Sequence, residues 1–280
     1  MSITPQKVDR ASYETVADFI DAANTVLVNA SNADIVAVFR EDKGQQFGAS
    51  FFGAGCRNGL AVQTLVNDGW QEGRTRVDGF LSKLETIELA PRDMRRRLTR
   101  ADMGDHLNIG DVYAGRFATA WTRATRLAGF GPQRVDILAN MITAGGQSPD
   151  VLFWRGAAAV ALCDKLEAAG YMVRLIVGFG GKGMGADKVS CRITVKNHDM
   201  PLDLSTASSV MLPGFFRAIG HQWIAAHAPR RSDCVGISVK NCDTEAGEIF
   251  LSHEVSNEAG ARARVEQVIH QLDAATTAAA

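Results

Sequence analysis

The sequence predicts an α/β protein, and three features carry that prediction. Apolar segments with β-strand composition alternate with segments of helical spacing from residue 134 onward. The segments are closed by glycines where helices should stop, as at Gly170. The composition, 46% hydrophobic and 22% charged over 280 residues, is that of a chain able to bury a large core.

In order along the chain, residues 12–28 place Val16, Phe19, Ile20, Ala23 and Leu27 at helical spacing, with Ser12 as the expected N-cap. Residues 35–55 are aromatic and Gly-rich and read as a short hairpin or irregular connector. A helix fits the stretch entered through Asn58 and left through Gly69, and another fits Val77–Leu84. Residues 134–141 (RVDILANM) read as a strand, 152–169 as a helix and 171–179 as a second strand. The run Gly178-Phe-Gly-Gly-Lys-Gly-Met-Gly185 reads as a turn into a further strand. There Val189, Cys191, Ile193 and Val195 alternate with Arg192, Thr194 and Lys196, which are expected to face outward. Two central parallel strands joined by a helix, with residues 189–195 antiparallel at the edge, is the economical arrangement. Helical sequence around 208–227 is broken by Pro213; 234–240 and 249–255 read as strands, and 257–273 as an amphipathic helix. The expected organisation is an N-terminal mixed helical region (1–91), an Arg-rich connecting segment (92–133) and an α/β region (134–280).

Charge is the most informative feature. Residues 92–134 hold nine arginines and four aspartates, with no lysine or glutamate. That is a surplus of +5, leaving −6 on the rest of a chain whose total is −1. Arg92, Arg95, Arg96, Arg97 and Arg100 fall within nine positions. Guanidinium groups contact phosphates bidentately and release counterions on binding, so this run is a candidate nucleic-acid site. The ordinary alternative is a solvated segment, or arginines paired with carboxylates elsewhere. Tyr113 and Trp121 are candidates for stacking on bases, against the ordinary reading of both as core. Lys182, in the Gly-rich turn, could add charge to a phosphate cradle, against a flexible hairpin loop. That turn enters a strand, unlike a phosphate loop that opens a helix.

Other chemistries find no support. The six histidines form no H-E-x-x-H, and Ser205, Ser208 and Ser209 lie in no G-x-S-x-G elbow. Asp199 and Asp203 read as turn or cap residues. The five cysteines include no C-x-x-C, which predicts reduced thiols without structural zinc. No catalytic residue, cofactor or metal is assigned. The N-terminus lacks the apolar core of a secretory signal and no 18-residue apolar run exists, so a soluble cytoplasmic protein, without membrane contact, is expected.

The segments RVDILANM and AVALCDKLEAAGYMVRLIVGF resemble the von Willebrand A domain, over roughly residues 134–272. The family's metal-binding D-x-S-x-S falls on Asn140, Ile142 and Ala144, or on Ala139, Met141 and Thr143 with a one-residue slip. Neither register supplies the anionic oxygen donors that a hard cation takes, so the resemblance implies a metal-free variant. The segments FGAGCRNGLAVQTLVNDGWQEGRTRV, MGDHLNIGDVYAGR and WRGAAAVALCDKLEAAGYMVRLIV are similar to a group of uncharacterised bacteriophage proteins, which implies a phage setting. The function expected is that of a non-enzymatic accessory protein binding single-stranded DNA in transcription or replication. It would work alone or as a homo-oligomer, with a phage polymerase or ATPase as partner. The alternative is a metal-independent protein-interaction adaptor.

Overall fold

The computed structural model describes residues 10–29, 51–89, 96–104, 106–126, 133–142, 147–182, 188–227, 244–252 and 254–278. Residues 10–89 contribute β1 (Arg10–Tyr13), α1 (Val16–Asn29), α2 (Gly59–Asp68) and α3 (Gln71–Lys83). Ser12 lies inside β1 and does not cap α1. Thr15 does, its hydroxyl accepting the Asp18 N–H at 3.1 Å. Asn58 caps α2 as its position predicts, accepting the Ala61 N–H at 2.9 Å, and Gly69 leaves that helix at φ 87°. The apolar stripe Val16, Phe19, Ile20 and Ala23 is buried, and it joins the same core as the C-terminal half. The connector expected at 35–55 lies largely outside the described residues.

The described part of the Arg-rich stretch carries regular secondary structure. It folds into β2 (Arg96–Ala101), β3 (His106–Leu107), α4 (Ile109–Tyr113), a 3₁₀ turn at Phe117–Thr119 and β4 (Trp121–Arg126). These strands make their own antiparallel sheet in the order β2-β4-β3.

The second sheet uses β5 (Arg134–Asn140), β6 (Met172–Lys182), β7 (Lys188–Lys196) and β8 (Ile249–Leu251) together with β1, in the order β1-β7-β6-β5-β8. β5 and β6 are parallel and adjacent, with Val135 opposite Val173 and Asn140 opposite Gly178. Between them runs α5 (Asp150–Ala168), buried on nearly every side. Its end is a Schellman motif: the Gly170 N–H reaches Glu167 O and the Tyr171 N–H reaches Leu166 O, with Gly170 at φ 89°.

β7 runs antiparallel to β6 as expected, but it is not the edge, because β1 pairs with it in parallel from Arg10–Ser190 to Tyr13–Ile193. Nor is the Gly-rich run all turn. Gly178 to Lys182 are ladder residues of β6, and residues 183–187 lie outside the described residues. The register puts Leu175, Val177, Phe179, Cys191 and Ile193 on one face, where Phe179 meets Phe19, Phe216 and Trp223. The other face carries Asp136, Arg174, Ser190 and Arg192. Arg192 and Lys196 were expected to be solvent-facing and are buried, Arg192 against Glu248 and Lys196 against Glu167 at 2.6 Å. A buried charge needs such a partner, and no local pattern reveals one.

The chain continues through α6 (Leu204–Val210), a π-helical turn at Phe215–Gly220, α7 (His221–His227) and α8 (Glu258–Ala278). Asp203 caps α6, accepting from the Ser205 and Thr206 N–H groups. The strand expected at 234–240 lies outside the described residues. No helix among the described residues is long and apolar enough to cross a membrane.

Candidate nucleic-acid interface

Threonine, leucine and tryptophan interleaved with arginine give β2 and β4 their strand character. Their register sets Arg96 opposite Arg126, Arg97 opposite Thr125, Thr99 opposite Arg123 and Arg100 opposite Thr122. The turn after β2 presses on β4 at Gly104, where a Cβ would stand 2.6 Å from Thr122 O; only glycine fits.

At the centre of this lobe is Asp111. Its side chain is 3% exposed and is held by three residues. Oδ2 accepts from Arg100 Nη1 at 2.8 Å and from Asn108 Nδ2 at 3.0 Å. Oδ1 accepts from Arg116 Nε at 2.9 Å and Nη2 at 2.5 Å. Arg116 returns to the carboxylate because the chain reverses at Gly115, φ 72°, with the Arg116 N–H on Asp111 O at 2.8 Å. The two arginine side chains remain 61% and 63% exposed, and both are paired with one buried anion. Two cations on one carboxylate leave a surplus of positive charge at the surface.

The apolar surface of the lobe is as unusual as its charge. Met103, Leu107, Ile109, Tyr113 and Phe117 are all exposed, Tyr113 at 88% and Phe117 at 66%. Among the described residues only Leu60 and Met200 join them as exposed large hydrophobic side chains. Contiguous exposed apolar groups mark binding surfaces, so their concentration here is informative. The core reading of Tyr113 is therefore wrong, while Trp121 is partly buried. Phe117 was not singled out in the sequence, and Arg116 was counted among the nine arginines without being assigned to the site. The signal available was the i, i+4, i+8 spacing of Ile109, Tyr113 and Phe117 inside the Arg-rich stretch.

Of the sequence-assigned residues, Arg100 belongs to this site. Arg96 and Arg97 lie in β2 by their backbone, and Arg92 and Arg95 lie outside the described residues. Lys182 ends β6 in the other sheet, so it shares no element with the arginines.

At the position of the resembled metal loop, the Asn140 side chain accepts the Ile142 N–H at 3.2 Å. The buried Arg155 guanidinium donates to the carbonyls of Asn140 and Ile142. A resident cation thus occupies the carbonyls after β5. Ala144 is outside the described residues. No group of three or more His, Cys, Asp or Glu side chains among the described residues could hold a metal ion. Cys56, Cys163 and Cys191 are buried free thiols. Burial, then the nearby Glu167 carboxylate, pushes Cys163 up to about 12, which disfavours the nucleophilic thiolate.

A family model described as a domain of unknown function (DUF7192) matches residues 3–275, spanning both sheets, so the chain belongs to that family. No curated protein and no solved structure matches it.

Proposed function

We propose that this member of the DUF7192 family is a non-catalytic protein that binds nucleic acid, single-stranded DNA in particular, on the lobe formed by residues 96–126. The observation that carries the reading is the coincidence, within residues 96–126, of exposed arginines with exposed aromatic and aliphatic side chains. Cationic groups that track a backbone, beside aromatic faces on which bases stack, are what sequence-tolerant single-strand binding uses. The role is that of an accessory to transcription or replication, in the phage setting that the sequence similarity implies. We read residues 134–280 as an A-type-like scaffold. The parallel pair β5–β6 around α5 and the antiparallel β7 support that reading.

An electrophoretic titration with single-stranded and duplex oligonucleotides at two salt concentrations tests it. Binding should be tighter to the single strand and fall steeply with salt. Replacing Arg95, Arg96, Arg97 and Arg100 with alanine should weaken it and flatten the salt slope by roughly 0.7 per lost contact. A wild-type protein without affinity at low salt would refute the proposal.

The aliphatic part of the patch, Met103, Leu107 and Ile109, favours a second reading as an adaptor for a phage ATPase or polymerase. An apolar-centred protein interface of that kind would bind with little salt dependence.

A further inference from the structure

We infer that Arg100 and Arg116, oriented by Asp111 and flanked by Tyr113 and Phe117, form a seat for one nucleotide of an unpaired strand: a two-guanidinium fork for its phosphate beside platforms for its base. The inference rests on the nucleic-acid reading above and deepens it. It assigns Asp111 as a positioning residue whose negative charge strengthens the binding of an anion.

The geometry carries this. A guanidinium has five N–H donors in a fixed plane. Arg100 spends Nη1 on Asp111, and Arg116 spends Nε and Nη2. Arg100 Nη2 and Arg116 Nη1 keep donors that no described side chain or carbonyl takes up, and both side chains are largely in solvent. Because each guanidinium uses a different oxygen of the same carboxylate, the two are locked next to each other. An arginine on an open surface loses its rotamer freedom when it grips a phosphate; these two have already lost it. The carboxylate is buried beneath them, so it orients both cations without facing the incoming anion. One phosphodiester charge balances the surplus of one.

The aromatic groups set the class of nucleic acid. Tyr113 and Phe117 stand on either side of Arg116 in the chain and are exposed. A base in a duplex has both faces covered by its neighbours, whereas an unpaired base can swing onto an aromatic ring. The seat therefore selects single strands through its rings, and its guanidinium fork supplies salt-dependent affinity.

The decisive variant is Asp111→Asn, read by fluorescence-anisotropy titration of a labelled oligothymidine at several salt concentrations. Net charge alone predicts tighter binding, since a negative charge is removed. The seat predicts at least about 5-fold weaker binding and a shallower salt slope, by roughly 0.7, because the fork loses its alignment. A folded Asp111→Asn protein that binds as tightly as wild type or tighter overturns the inference.

If matched circular dichroism shows that variant misfolded, Arg100→Lys/Arg116→Lys replaces it, keeping both charges and losing the planar fork. The expected loss is again about 5-fold, and unchanged affinity overturns the inference. Tyr113→Ala and Phe117→Ala should each weaken single-strand binding by about 5- to 150-fold, leaving the salt slope and duplex affinity in place. An equal loss on duplex would overturn the base-platform part. Wild-type protein that binds no oligonucleotide refutes the underlying reading, whereas wild-type binding with indifferent variants refutes only the seat.

Discussion

Replacing Glu248 with glutamine should be among the most damaging single changes outside the lobe. Glu248 stands just before β8 and grips Arg192 of β7 through both carboxylate oxygens; both side chains are buried. Glu248 Oε2 also accepts the Glu245 N–H at 2.7 Å, so the same carboxylate closes the turn that leads into β8. The amide keeps the shape and removes the carboxylate charge that faces the buried Arg192 guanidinium. Breaking a buried pair from one side costs about 3–5 kcal/mol. At about 2–4 °C per kcal/mol for a domain of this size class, the melting temperature should fall by roughly 6–20 °C. Urea denaturation followed by circular dichroism measures the loss, with Arg192→Met/Glu248→Leu as the control. Because desolvating two ions offsets most of their attraction, that apolar pair should lie closer to wild type than Glu248→Gln does. A Glu248→Gln protein within about 1 kcal/mol of wild type would refute the reasoning, as would a double variant less stable than either single one.

Three further outcomes are expected. Burial, and secondarily the Arg217 guanidinium, lowers His221 to about 4, with its ring edge-on to Phe216. Between the unfolded value near 6.5 and about 4 the unfolded chain binds the extra proton. Stability therefore falls as pH drops through that window, and His221→Phe should flatten urea midpoints measured from pH 7 to pH 4 by about 1–3 kcal/mol. Gly214→Ala would set a Cβ 2.5 Å from Val62 Cγ2 and 2.7 Å from Phe52 O, and should cost about 1–3 kcal/mol by thermal denaturation; an unchanged melting curve would contradict that packing. Magnesium should leave the melting temperature unchanged, since Arg155 already occupies the carbonyls after β5, whereas a magnesium-dependent rise abolished by Asn140→Ala would contradict that assignment.

The segment from β5 through α5 to β6 was legible in the sequence because each of its signals is local. Strand composition, a helix and the Gly170 stop all sit within a few residues of the element they specify. The same holds for the caps at Asn58 and Asp203. The +5 surplus of residues 92–134 was likewise visible as composition, and it pointed to the lobe that carries the exposed arginines.

What depended on distant partners was decided only by the tertiary structure. β1 joins the sheet beside β7 through residues 180 apart in sequence, Arg10 with Ser190, and a parallel pairing leaves no local mark. The alternation in β7 placed Cys191 and Ile193 on the apolar face correctly, yet Arg192 and Lys196 are buried because Glu248 and Glu167 arrive from elsewhere to neutralise them. Tyr113 read as core from the sequence and is exposed, as is Phe117, since burial requires an opposing surface that a local pattern does not reveal. The pairing of Arg100 with Arg116 on Asp111 needed the reversal at Gly115 and the return of the chain to β2. Sequence determined which charges and rings this protein owns, and the fold decided which of them stand together at the surface, because proximity across a chain is a property of its packing.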